Sequence, residues 1–332
     1  MRFATISRGH DTVAVVVEDD QLFPIEGRSV LDLVRGGLTS ALVIGRRAVA
    51  SATPIPLAGA HLVSPIQPVT IRDFVTFEEH VEGVRASVQN QAGVPDAWYE
   101  APHFYFTNPH TITGPDAHIA APHGCTDLDF ELEVAVVLGR GGSNLTVEEA
   151  AGAIFGYTIL NDWSARDLQR REMEVGLGPA KGKDFANTLG PVLVTADEFA
   201  ASHDADGFLT LGCTAHINGV EIGRDVLSNM GWTFPTLVAY ASRSSRVEAG
   251  DVLGSGTTGN GGCLAELWGR RGRQDPPSLR PGDVVRLTVE GIGTLTNTVA
   301  SRPDAPAPVP PVRRRDDRNA ERARHLGTGS PV

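Results

Sequence analysis

Glu131 and Glu133 stand in the stretch Asp127-Leu-Asp-Phe-Glu131-Leu-Glu133-Val-Ala-Val-Val-Leu, which patterns as a strand carrying acids toward its own interior. Side chains alternate faces along a strand, so Leu128, Phe130, Leu132, Val134 and Val136 share one apolar face and Glu131 and Glu133 share the other. That second face continues as Ala135 and Val137, so the strand is buried on both sides beyond the acids. Two carboxylates about 7 Å apart by strand rise, placed where water runs out, are costly unless something cationic neutralises them. A hard divalent ion with oxygen ligands is the simplest neutraliser. The competing reading is a half-exposed strand with an acidic solvent face, and other acids must decide between the two.

Asp162 is one such acid. The apolar run Ala153-Ile-Phe-Gly-Tyr-Thr-Ile-Leu160 ends in Asn161-Asp162-Trp163, and an acid at the end of a buried strand, beside a helix start, is a common ligand position. Ser164-Ala-Arg-Asp167 reads as a capping box opening that helix. Arg166 and Gln169 are three apart and share a helix face, so both can point at one ligand; the alternative makes Arg166 a surface ion-pair partner of Asp162.

Two glycine patterns mislead. Gly254-Ser-Gly256-Thr-Thr-Gly259 satisfies the dinucleotide fingerprint, but Asn260-Gly-Gly-Cys263 follows where a helix must open, which argues against a nicotinamide or flavin site. Gly182-Lys183 resembles the end of a phosphate loop, yet Leu177 and Asp184 occupy positions that need Gly and Ser or Thr.

The elements that must position these residues are mostly strands. A chain of 332 residues with 41% hydrophobic content, 37 Gly and 22 Pro fits a turn-rich, strand-rich globular protein. A formal net charge of -11 argues against a nucleic-acid partner. Cys125, Cys213 and Cys263 lack ligand spacing and are too few for a disulfide framework, which points to a reducing compartment. The N-terminus shows no secretory pattern, and no apolar run reaches the roughly 20 residues of a membrane span. The expectation is a soluble cytoplasmic protein with no membrane partner.

Residues 1–65 read as a small β-rich unit: strands over Thr12–Val17 and Leu22–Ile25 around an acidic turn, then a short helix near Val30–Val34. Two strands cannot bury enough alone, so this unit should pack on the remainder of the chain. Residues 66–302 hold the candidate chemistry, with strands expected over Glu131–Leu138, Ala153–Leu160, Leu209–Ile217 and Val284–Val289. A helix capped by Thr146 and another over Val226–Ser242 complete the expectation. Residues 303–332 read as a Pro-rich linker and a charged, disordered tail.

Taken together, the chain resembles the fumarylacetoacetate hydrolase family over about residues 66–302. The resemblance rests on Asp73-Phe-Val-Thr-Phe-Glu-Glu-His80, Leu128-Asp-Phe-Glu131-Leu-Glu133, Asn161-Asp162-Trp163-Ser-Ala-Arg166-Asp-Leu-Gln169, Leu177-Gly-Pro-Ala-Lys-Gly-Lys183, and Gly254-Ser-Gly-Thr257 followed by Leu264-Ala-Glu266-Leu. It implies a mixed α/β, β-rich fold: a rolled, mixed β-sheet catalytic domain with a small N-terminal β domain, usually as a homodimer. It implies that Glu131, Glu133 and Asp162 hold Mg²⁺, Mn²⁺ or Ca²⁺. An acid at the Asp73 position is a further ligand in the hydrolase that names the family, and many relatives do without it. His80 matches the histidine that activates water and Glu266 the acid that orients it. Arg166, Gln169, Lys183 and Thr257 match groups that hold the substrate carboxylate and oxyanion. One departure is Asn187, which stands where relatives tend to place threonine.

The implied substrate is a small 2-oxo acid. Such an acid chelates a divalent ion through its carboxylate and keto oxygens, and the ion, as a Lewis acid, stabilises the enolate formed when a neighbouring bond breaks. With His80 deprotonating water and Lys183 countering negative charge, the first expectation is a hydrolase cleaving a C–C bond of a 1,3-dicarbonyl 2-oxo acid of acylpyruvate, fumarylpyruvate or fumarylacetoacetate type. Without the water, the same site suits an isomerase or decarboxylase of a 2-hydroxy-diene or 2-oxo dioate in aromatic catabolism, of 2-hydroxyhepta-2,4-diene-1,7-dioate type, or an oxaloacetate decarboxylase. A non-catalytic binding protein on this fold is the remaining class. The segment Glu78-Glu-His-Val-Glu-Gly83 is polar and glycine-ended, so it is expected to behave as a lid that orders over substrate, with His80 away from Glu266 otherwise.

Overall fold

The computed structural model describes residues 1–327, which divide into one compact unit over Met1–Arg302 and a separate segment from Pro303 onward. The compact unit is mixed α/β and β-rich: a twelve-stranded mixed sheet, a five-stranded sheet and a small two-stranded pairing. At the centre of the large sheet, Leu132–Leu138 and Ile154–Asp162 pair antiparallel and are buried on both faces, as their continuous apolar runs require. Asn187–Thr195 flanks the pair on one side and Val252–Gly254 on the other. Val252–Gly254 in turn pairs parallel with Ile71–Phe74, which brings segments about 180 positions apart into register.

The N-terminal segment packs on the rest by strand pairing. Arg2–Arg8 adds to Asn187–Thr195 through Arg2↔Val194 and Phe3↔Leu193, so strands on either side of residue 65 share one continuous sheet within one compact unit. Phe3 and Phe155, 6.3 Å apart between ring centroids, tie the two halves of that core.

Local assignments differ from expectation at three places. A helix over Leu38–Ser51, not anticipated, follows Gly37 at φ 81°, a conformation glycine adopts without strain. The helix expected over Val226–Ser242 starts only at Phe234, because Val220–Val226 pairs as a strand and Pro235 sits in the first helical turn. Ser164 does not cap the helix Arg166–Glu174: it pairs with Asp129 across a short antiparallel bridge, and its hydroxyl donates to the Asp162 carbonyl at 3.1 Å. Thr146 does cap its helix, in a reciprocal box with Glu149.

The segment from Pro303, expected to be disordered, carries a helix over Arg315–Leu326 with no buried residue. Asp316 and Asp317 lie in its first turn and Arg324 and His325 in its last, charges that suit the helix dipole. It lacks an apolar stripe, which is why periodicity missed it.

Candidate active site and metal centre

The register of the large sheet delivers four acids to one place. Glu133 sits opposite Leu160 and Asp162 opposite Asn187, while Gly254 stands opposite Asp73 on one side and Ala135 on the other. Asp73, Glu131, Glu133 and Asp162 are each buried, and one carboxylate oxygen from each lies within 4.8 Å of the others. Oxygens bound to one Ca²⁺-sized ion at about 2.3–2.6 Å are at most about 5 Å apart, so the set is compact enough for a single cation. The sheet thus brings Asp73 into the group that the sequence pattern left at three acids.

The donor set fits a hard cation by chemistry as well as spacing. Asp73 Oδ1, Glu133 Oε2 and Asp162 Oδ1 are buried with no hydrogen-bond partner, a condition that costs free energy unless something positive meets them. Burial pushes the carboxyls of Asp73, Glu133 and Asp162 above their usual range. Glu131 is the exception: burial opposes its charge too, but Lys183 and then Arg166 outweigh it and hold Glu131 below the usual range. All four donors are carboxylate oxygens, the ligand type of Mg²⁺, Mn²⁺ and Ca²⁺.

Lys183 is buried and its ammonium donates to both Glu131 and Asp162, whose charges keep it protonated against desolvation. Arg166 spends its guanidinium on Asp129 (Nε, 2.9 Å), Glu131 (Nη2, 2.7 Å) and Gln169 Oε1 (Nη1, 3.1 Å). Its ion-pair partners are therefore Asp129 and Glu131, not Asp162. Gln169 and Arg166 do share a helix face, as their spacing requires, and both line a cavity of about 540 Å³ together with Asp73, His80, Lys183 and Thr257. The Thr257 hydroxyl donates to Glu133 at 3.4 Å. Asn187 donates to Thr107 Oγ1 at 3.0 Å and to the Lys183 carbonyl at 3.5 Å, so the departure at this position braces the backbone that carries the lysine.

His80 lies on the helix Glu78–Val84 and is buried. The segment expected as a lid is an ordered helix packed tightly on the helix Leu264–Arg271. A Cβ on Gly83 would lie 2.7 Å from the Glu266 carbonyl oxygen, and one on Gly269 would overlap the Gly83 carbonyl. His80 Nε2 is 3.9 Å from Glu131 Oε1, and burial pushes its pKa down to about 4. Glu266 instead accepts from Arg270 Nη1 at 2.9 Å and from the Gly261 N–H at 3.3 Å; burial pushes its carboxyl up to about 7.

Three residues were not singled out as site residues by sequence. The Tyr105 hydroxyl donates to Asp162, and its strand pairs with that of Asp73 through Asp73↔Tyr105. Asp129 accepts from the Leu264 and Ala265 N–H groups at 2.8 and 2.9 Å as well as from Arg166, tying the helix Leu264–Arg271 to the acid strand. Cys263 Sγ lies 3.6 Å from His80 Nδ1. An amphipathic Tyr in Phe104-Tyr-Phe-Thr107 was a faint signal; the other two carried none. The glycine pattern at Gly254 and Gly256 has its own reason: a Cβ at Gly256 would lie 2.5 Å from the Phe74 carbonyl oxygen, and no helix follows before Leu264.

Comparison with known proteins points to one family. The family described as "Fumarylacetoacetate (FAA) hydrolase C-terminal" matches residues 70–300. Oxaloacetate tautomerase YisK of Bacillus subtilis (strain 168) is 27% identical over 308 residues, 86% of this chain and 95% of that protein. A fumarylacetoacetate hydrolase structure from psychrophilic Exiguobacterium antarcticum is 25% identical at a TM-score of 0.72, covering 91% of this chain and all of that one. Maleylpyruvate hydrolase from Sphingobium sp. SYK-6, solved with manganese(II) and pyruvate, shares the fold at 20% identity and a TM-score of 0.66, covering 91% of this chain and 100% of that one.

Proposed function

The chain belongs to the fumarylacetoacetate hydrolase family, and on that premise we propose that it is a divalent-metal-dependent enzyme interconverting the keto and enol forms of a 2-oxo dicarboxylate of the oxaloacetate type. The observation that carries the reading is the contrast between two parts of the site. The acids and Lys183 are gathered for enol chemistry, which needs no attacking water, whereas Glu266 and His80 make no hydrogen bond to each other: Glu266 Oε1 accepts from Arg270 and its Oε2 is buried without a partner. The similarity to a bacterial oxaloacetate tautomerase over most of both chains supports the same choice.

Asp73, Glu131, Glu133 and Asp162 would hold Mg²⁺ or Mn²⁺, which supplies Lewis-acid stabilisation of negative charge on a keto oxygen. Lys183 fixes an ammonium beside the same region, preorganised by two carboxylates, where it counters charge developing on the substrate. Arg166 holds Glu131 and Gln169 in place rather than presenting its whole guanidinium to the cavity. Three free, buried cysteines suit a reducing compartment, consistent with work in the cytoplasm, and no helix among the described residues is long and apolar enough to cross a membrane. A homodimer is part of the proposal.

A second reading has one observation in its favour. A cavity of about 540 Å³, whose lining includes Phe74, Val81, Trp98, Phe104 and Met173, is larger than a four-carbon acid fills. It suits isomerisation of a longer 2-hydroxy-diene dioate, or cleavage of an acylpyruvate. The deciding experiment offers the purified protein with Mg²⁺ or Mn²⁺ the enol form of oxaloacetate, a 2-hydroxy-diene dioate and an acylpyruvate. Fastest turnover of the oxaloacetate enol is expected; hydrolysis of the acylpyruvate as the dominant activity would overturn the proposal. Turnover of none would favour a binding protein.

A further inference from the structure

Cys263 is the N-cap of the helix Leu264–Arg271, where its sulfur accepts from the Glu266 N–H at 3.4 Å. The same sulfur lies 3.6 Å from His80 Nδ1, within the longer hydrogen-bond reach of sulfur, and both side chains are buried. The other ring nitrogen, Nε2, lies 3.9 Å from Glu131 Oε1. That carboxylate accepts Arg166 and Lys183, so it is acceptor-only. A neutral imidazole has one proton for its two nitrogens.

The two contacts decide where that proton resides. With Nδ1 protonated, Nε2 would turn a lone pair toward an acceptor-only carboxylate. With Nε2 protonated, its N–H is directed toward the carboxylate side of the cavity, and the Nδ1 lone pair is left to accept from a thiol. Glu266 makes no hydrogen bond to His80 here; its Oε1 accepts from Arg270 and Gly261. We propose that Cys263 is a positioning residue that donates its S–H to His80 Nδ1, holding the imidazole with Nε2–H toward the cavity. His80 then offers the substrate a hydrogen-bond donor that stabilises developing negative charge, and lacks the free lone pair needed to deprotonate water. The tautomer follows from contacts within this chain alone. Its use toward substrate rests on the keto–enol reading above.

The test is ¹⁵N NMR of the full-length, Mg²⁺-loaded protein labelled at histidine, with the His80 signal assigned by its loss in His80→Gln. The wild type is expected to show the Nε2–H tautomer. Cys263→Ala is expected to lose that single tautomer and to lower kcat about two- to tenfold, the worth of one net hydrogen bond, with KM little changed. Cys263→Ser, whose hydroxyl also donates, is expected to restore both. A wild-type signal from the Nδ1–H form or from imidazolium would overturn the inference, as would an unchanged tautomer in Cys263→Ala. The wild-type spectrum needs no variant to fold. Absence of turnover with the Nε2–H tautomer intact would instead count against the proposed function and leave this inference standing.

Discussion

Gly254 leaves room for Asp73: a Cβ at position 254 would lie 2.5 Å from Asp73 Oδ1, and only 2.6 Å from Glu133 Oε2. Those two oxygens are among the buried ones without a hydrogen-bond partner. The bare Cα is thus part of the proposed metal centre although it offers no ligand. Gly254→Ala is expected to displace both carboxylates, weakening Mn²⁺ binding at least tenfold by calorimetric titration, with an overpacking cost of about 1–3 kcal/mol in stability. Unchanged Mn²⁺ affinity would show that Asp73 and Glu133 do not bind the ion.

Lys183→Met removes the one ammonium that Glu131 and Asp162 share. Without metal, the variant should be destabilised by about 3–5 kcal/mol, the cost of leaving buried charge uncompensated. Added Mn²⁺ should therefore raise its melting temperature more than that of the wild type. With metal present, turnover should fall by about 10²–10³-fold, the usual effect of removing a preorganised electrostatic group. Equal melting temperatures for the two metal-free proteins would rule out the compensating role.

Truncation after Arg302 should leave melting temperature and turnover nearly unchanged, because the helix Arg315–Leu326 has no buried residue. A fall of several degrees in a thermal melt would show that residues beyond 302 are docked.

What the sequence made legible was local. Glu131 and Glu133 were readable because an acid pair interrupts an apolar two-faced strand, and Asp162 because it ends another. The strands themselves followed from continuous Val, Ile and Leu runs. What the sequence hid was set by long-range register. Tyr105, and Asp73, which only the family resemblance had named as a further ligand, reach the site because Ile71–Phe74 pairs with Val252–Gly254 and with Phe104–Thr107. The partners of Arg166 were hidden for a related reason: Asp129 and Glu131 are 37 and 35 positions away, and only the fold of Leu128–Asp129 onto Ser164–Ala165 makes them neighbours. The Glu78–Gly83 segment read as a polar lid because its burial depends on two glycines, Gly83 and Gly269, letting helices approach closely.

The central claim is that Asp73, Glu131, Glu133 and Asp162 hold one hard divalent ion at which a 2-oxo acid reacts. Anomalous diffraction from crystals grown with Mn²⁺ and oxalate, a mimic of the enolised 2-oxo acid, tests it most directly. The account predicts one manganese peak with oxygens of all four carboxylates at about 2.0–2.6 Å, oxalate on the cavity side, and loss of turnover in the same preparation on chelation, restored by Mg²⁺ or Mn²⁺. A manganese peak elsewhere, or full turnover after exhaustive chelation, would contradict it.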